Sequence, residues 1–152
     1  AYSEKDLETS IIAELQRFII ELGSDFAFMA RQKRITIDNR EYYIDLLFYH
    51  RRLKCLIAID LKIGEFEAAH KGQMELYLRY LEKHEQVEGE NTPIGLILCT
   101  GKNEEHVELM QVHKSNIHVA DYLTLLPSQK VLKQKFHQAI EIAKNRIDIE
   151  KG

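Results

Sequence analysis

Apolar residues recur near the start of the chain at Leu7, Ile11, Ile12, Leu15, Phe18, Ile19 and Leu22, a spacing that gathers them on one side of a helix. It predicts a helix over residues 3–22, capped by Ser3 and stopped by Gly23. The period then changes. Residues 26–37 have β-like content ending in alternation, residues 38–41 are turn-like, and residues 42–49 and 53–61 are strands rich in branched and aromatic side chains. A polar corner at Arg51 and Arg52 separates those two strands. Residues 62–69 are expected to form a short connection containing Gly64, before helical spacing returns over residues 68–84. An acidic loop over 85–92 follows, and Pro93 leads into the continuous apolar run 94–99, the pattern of a strand covered on both faces. A helix over 103–112, a short strand over 116–122 and a C-terminal helix over about 127–146 complete the order, αβββαβ and then αβα. A mixed α/β fold in one domain, residues 1–152, is the expectation, with its central sheet flanked by helices.

Two of these strands carry an acid inside an apolar run. Asp45 lies among Tyr43, Ile44, Leu46 and Leu47, and Asp60 among Ile57, Ala58, Ile59 and Leu61. A buried, unpaired carboxylate costs several kcal/mol, roughly, so both acids ask for a compensating cation. Lys62 shares the face of Asp60, because side chains along a strand repeat with period two. Each acid alone reads equally well as a strand residue on a solvated face. Together with Lys62 they point to metal-assisted phosphodiester cleavage at the ends of the second and third strands. Two carboxylates and a main-chain carbonyl suit Mg²⁺, which keeps several waters and accepts phosphate oxygens. Lys62 can orient the attacking water or neutralise charge in the transition state.

Composition narrows the setting. With 45% hydrophobic and 30% charged residues the chain reads as an ordinary globular protein, and Cys55 and Cys99, both in apolar runs, read as reduced core residues, which favours a cytoplasmic location. No apolar run reaches the roughly 18 residues a membrane span needs, and the first residues form no hydrophobic signal segment, so no membrane partner is expected. The net charge of -3 does not advertise nucleic-acid binding. The basic residues Arg31, Lys33, Arg34, Arg51, Arg52 and Lys71 are nonetheless candidate contacts to a DNA backbone, since phosphate contacts position a duplex without reading its sequence.

Asp45, followed by Asp60-Leu61-Lys62 closing the next strand inside an αβββαβ order, resembles the PD-(D/E)XK nuclease superfamily. Gln73 and Tyr77, one turn apart on the following helix, are similar to the QxxxY motif of some of its branches. The phrases ELGSDFAFMARQ, YYIDLLFYHRRLKCLIAIDLKIGEF, GQMELYL and PIGLILCTGKN more specifically resemble the nuclease domain of the bacterial YhcG-like family, and they cover most of residues 6–103. The resemblance implies a restriction-endonuclease-like fold and a Mg²⁺-dependent DNA nuclease, with Mn²⁺ able to substitute. It further implies a separate N-terminal domain absent from this chain, and a homodimer as an arrangement many such nucleases use. It makes Asp45 and Asp60 metal ligands with the Leu61 carbonyl, Lys62 the catalytic lysine, and Gln73 and Tyr77 lining residues. Glu8 matches the first-helix acid, a catalytic residue and further metal-ligand candidate, with Glu14 as competitor. The chain departs from the pattern in having Ile44 before Asp45 where the superfamily is named for a proline, and Asp60 where the YhcG-like pattern more often has glutamate.

Other readings are weaker. A non-catalytic DNA- or protein-binding module on the same fold would use the same surface without turnover. Gln73 and Tyr77 also fit a polar partner and an amphipathic core residue. The 7 histidines are scattered, with His106 and His113 two turns apart on the helix over 103–112 and beyond, and suggest no zinc site. Cys99-Thr100-Gly101-Lys102 lacks the second glycine of a phosphate loop, and no serine sits in a nucleophile elbow.

Overall fold

The computed structural model describes residues 12–121 except 14, 18, 22, 23, 102 and 103. Ser3, Glu8, Glu14, Gly23 and the helix expected over 127–146 therefore lie outside the described residues. Within them the chain is helical at 12–13, 15–17 and 19–21, then forms β1 (Phe26–Ile37), β2 (Arg40–His50) and β3 (Cys55–Glu65). Helix α1 (Ala68–His84), β4 (Ile94–Gly101), α2 (Glu104–Leu109), a 3-10 turn at Val112–Ser115 and β5 (Ile117–Asp121) follow.

The five strands make one mixed sheet in the order β1-β2-β3-β4-β5. The first three pair antiparallel and the last two join in parallel. Local sequence explains the change. Asp38 and Asn39, with φ of 48° and 63°, supply the two left-handed residues of a tight hairpin between β1 and β2. A parallel neighbour for β3 instead needs a crossover, and α1 is that crossover. β3 becomes the central strand, buried from Cys55 to Leu61 without a break. On one face Leu46, Phe48, Ile57, Ile59 and Leu61 pack with Ile12, Leu15 and Ile19. On the other, Leu47, Ala58, Ile97 and Cys99 pack with Met74, Tyr77, Leu78 and Leu81 of α1. No helix among the described residues is long and apolar enough to cross a membrane.

The largest departure from the sequence reading is the connection expected over residues 62–69. β3 runs on to Glu65, because β4 offers a parallel edge that pairs Lys62 with Cys99 and, after an irregularity at Gly64, Glu65 with Gly101. The third helix is correspondingly short, and His113 falls in the 3-10 turn rather than on a helix shared with His106.

At Gly95 side chains of α1 pack directly on the sheet backbone. A Cβ placed there would meet Met74 Cγ at 2.6 Å and Sδ at 2.8 Å. Gly95→Ala should therefore destabilise the fold by about 1–3 kcal/mol, the range for overpacking a filled core, read as a lower midpoint in urea unfolding. An unchanged midpoint would mean that Met74 finds another rotamer at no cost.

Candidate active site

The acids do not sit at the strand ends, as the sequence suggested; both lie near the middle of β2 and β3. What ends there is the pairing between the strands. The β2–β3 ladder runs from His50–Cys55 to Leu46–Ile59 and stops one rung short of Asp45 and Asp60. Beyond it the carboxylates take over the work of main-chain carbonyls. Asp60 Oδ1 accepts the Asp45 N–H at 3.1 Å, and Asp45 Oδ2 accepts the Leu61 N–H at 2.9 Å. Each acid thus fixes the backbone of the other strand, and buried N–H groups that would lack partners are satisfied.

This exchange places two carboxylates side by side under α1. Asp60 is 3% exposed and is the buried charged residue among the described core. Burial pushes the Asp45 carboxyl above the usual carboxylate range, against the opposing pull of the Leu61 N–H, the Gln32 amide and the Lys62 charge. Lys62 Nζ donates to Gln73 Oε1 at 3.0 Å, so the lysine is held from α1 while its stem leaves β3. Tyr77, four residues along α1 from Gln73, is 2% exposed and packs edge-to-face on Tyr42 at 6.2 Å. Its phenol is pushed up by burial first, then by Asp60, Asp45 and Tyr42, which puts it within electrostatic reach of both acids. The structure therefore brings Asp45, Asp60, Lys62, Gln73 and Tyr77 to one place.

Three neighbours of that place escape a reading of the sequence. Gln32 Nε2 donates to Asp45 Oδ1 at 3.0 Å, yet in the sequence it is one polar residue inside a basic cluster. Its backbone has φ of 51°, a left-handed conformation that costs a side-chain-bearing residue about 1–2 kcal/mol. Tyr42 is hidden in the same way, since only cross-strand packing shows its contact with Tyr77. His70 shares the α1 face of Gln73 and Tyr77, at positions i, i+3 and i+7, a spacing that could have marked it.

His70 Nδ1 accepts the Glu67 N–H at 3.0 Å, closing the first turn of α1. Burial lowers its pKa from the usual 6.5, the Lys62 charge lowers it further, and Glu67 opposes both. Above 6.5 the imidazole is neutral folded or unfolded and adds no pH dependence. As pH falls through that value the unfolded chain takes up the proton first, so stability declines. An NMR titration of His70 should give a midpoint below the usual value, with amide protection of the first α1 turn falling as the ring protonates. A midpoint above it would contradict the neutral, accepting ring.

The basic candidates divide by position. Lys33 pairs with Glu85 at 2.9 Å, Arg34 with Glu41 at 3.4 Å and Lys71 with Glu75 at 3.9 Å. Arg31 and Lys33 flank Gln32 at the level of the acids, and Lys71 lies in the first turn of α1. Arg51 and Arg52 stand instead at the β2–β3 corner, six and seven residues from Asp45, about 20 Å along the strand. There Arg52 Nε meets Asp25 Oδ1 at 3.1 Å. Such exposed pairs are worth about 0–1 kcal/mol, so a phosphate could displace them cheaply.

The two carboxylates, with the main-chain carbonyl of Leu61, would give an all-oxygen donor set, the kind a hard divalent cation takes. The raised Asp45 carboxyl marks a strain of burial that such a cation relieves. Among the described residues no group of three or more His, Cys, Asp or Glu side chains could hold a metal, so any third carboxylate would come from outside them.

Known proteins resemble the chain at two levels. In overall shape the chain is similar to a repair endonuclease from Pyrococcus abyssi, with a TM-score of 0.54, 16% identity, and coverage of 80% of this chain and 48% of that one. At that identity the likeness concerns the fold, a mixed five-stranded sheet with flanking helices of the restriction-endonuclease-like kind. In sequence it is 41% identical over 153 residues to a protein of Escherichia coli (strain K12) named "Putative nuclease YhcG". That match takes in 99% of this chain but spans only 39% of the relative's length. Residues 1–138 match the family described as the YhcG PDDEXK nuclease domain, and the chain belongs to that family.

Proposed function

We propose that this domain hydrolyses DNA phosphodiester bonds with the help of Mg²⁺, for which Mn²⁺ can substitute. The single observation that carries the reading is the pair of crossed hydrogen bonds, Asp45 N–H to the Asp60 carboxylate and Leu61 N–H to the Asp45 carboxylate, which holds two acids together near a lysine where strand pairing stops. Nothing in the packing of a sheet requires acids there; apolar residues continuing the ladder would bury more favourably. Asp45, Asp60 and the Leu61 carbonyl are the residues that would hold the cation. When bound, it supplies positive charge to the scissile phosphate and makes a nearby water more acidic.

The remaining work falls to the chain's own side chains. Lys62, anchored through Gln73, presents its ammonium to the same space, where it can orient the attacking water or offset charge growing on the phosphate. Gln73 holds the lysine from α1 by accepting its hydrogen bond. Tyr77, kept protonated by its surroundings, can donate a hydrogen bond but cannot serve as a base. Arg31, Lys33 and Lys71, at the level of the acids, are proposed to receive the DNA backbone, with the more distant Arg51 and Arg52 touching it further along. Glu8, with Glu14 as competitor, remains the proposed first-helix acid.

The test is cleavage of supercoiled and linear DNA, and of RNA as a second substrate, by the purified chain in Mg²⁺, in Mn²⁺ and in EDTA. Metal-dependent scission of DNA that EDTA abolishes is the expected result. DNA retained on the protein but uncut in either metal would overturn turnover in favour of a binding module on the same fold.

A further inference from the structure

Gln32 and Asp45 occupy one rung of the β1–β2 pair, between Arg31–Leu46 and Lys33–Ile44. At this rung both strands break their alternation together. Ile44 and Leu47 are three residues apart, and Ala30 and Ile35 five apart, yet each pair packs on the α1 side of the sheet. In a regular strand an odd separation places side chains on opposite faces. The paired slip leaves the register intact on either side and turns two residues out of the pleat. One is Gln32, held at φ of 51°, and the other is Asp45. A left-handed glutamine within a strand persists only where its surroundings over-determine it.

Donors from both neighbouring strands constrain the Asp45 carboxylate. Gln32 Nε2 holds Oδ1 at 3.0 Å from one neighbouring strand, and the Leu61 N–H holds Oδ2 at 2.9 Å from the other. One donor on each oxygen, from strands on opposite sides, restricts rotation of the carboxylate. We infer that Gln32 is the positioning residue of the site: its side-chain amide, delivered by the strained rung, sets the orientation in which Asp45 meets a divalent cation. This rests on the reading of Asp45 and Asp60 as cation ligands. Donors behind a ligating group typically matter by 10–100-fold, roughly, in metal affinity.

Gln32→Gly separates positioning from structural support, because the two roles predict opposite signs. Glycine adopts a positive φ without strain, and that relief offsets the cost of losing the donor to the part-buried Asp45 carboxylate. Mn²⁺ titration calorimetry of the whole chain should show affinity lower by about tenfold or more than wild type, with no fall in melting temperature. In the metal-free proteins, hydrogen exchange at the Leu61 amide should quicken in Gln32→Gly, because the carboxylate it donates to is no longer held from the other side. Wild-type affinity together with unchanged Leu61 exchange would overturn the inference, and so would an affinity loss that merely tracks a lower melting temperature. A wild-type chain that binds no Mn²⁺, but whose Leu61 exchange still quickens on Gln32→Gly, would sink the cation reading and keep the positioning of Asp45.

Discussion

Asp60→Asn is expected to lower DNA cleavage by about 10³-fold or more while leaving the fold in place. The size follows from the role proposed for the carboxylate as a cation ligand: a cation at a reacting phosphate is worth several kcal/mol of transition-state stabilisation, and each 1.36 kcal/mol, roughly, is a factor of ten. The retention of fold follows from geometry. Asp60 Oδ1 accepts the Asp45 N–H, and the amide oxygen of asparagine can accept the same bond at nearly the same volume. Circular dichroism and melting temperature should stay close to wild type while plasmid nicking disappears. A variant that cuts within tenfold of the wild-type rate would show that Asp60 is a structural acid, kept for its bond to β2.

Lys62→Met should cost about 10²–10³-fold, the range for removing one group that stabilises developing charge. Methionine keeps the unbranched stem, so the loss would report the ammonium rather than packing. Gln73→Ala should cost less, about tenfold, since Gln73 acts by holding Lys62 at 3.0 Å. In the double variant the glutamine no longer has a lysine to hold. The combined loss should therefore equal that of Lys62→Met alone, a failure of additivity expected for residues in one hydrogen-bonded unit. Losses that simply multiply would place Gln73 on the substrate independently of Lys62.

Much of this arrangement is legible in the chain, for identifiable reasons. An unbroken apolar run that suddenly holds an aspartate, as at Asp60, announces a strand buried on both faces with a charge that needs explaining. The helical face bearing Gln73 and Tyr77 follows from spacing alone, and α1 has the expected bounds. Other features are set by partners distant in sequence. β3 continues to Glu65 because β4 supplies the next edge, which no local pattern in residues 62–65 reveals. That the acids sit where β2 and β3 stop pairing depends on each carboxylate taking a backbone N–H of the opposite strand, Leu61 for Asp45 and Asp45 for Asp60. Gln32 is the extreme case. Its neighbours Arg31, Lys33 and Arg34 make it look like part of a solvated basic stretch, and its role emerges only from the register that sets it opposite Asp45.

The central claim is that Asp45, Asp60 and the Leu61 carbonyl address one ion. Crystals of the chain soaked in Mn²⁺ and measured at the manganese absorption edge test it directly. An anomalous peak is expected within coordination distance of an oxygen from each of the three, about 2.0–2.6 Å for a hard divalent cation. The Lys62 ammonium should remain beside Gln73, outside that shell. Anomalous density elsewhere on the surface, with the bonds of Asp45 and Asp60 to each other's strands unchanged, would contradict it.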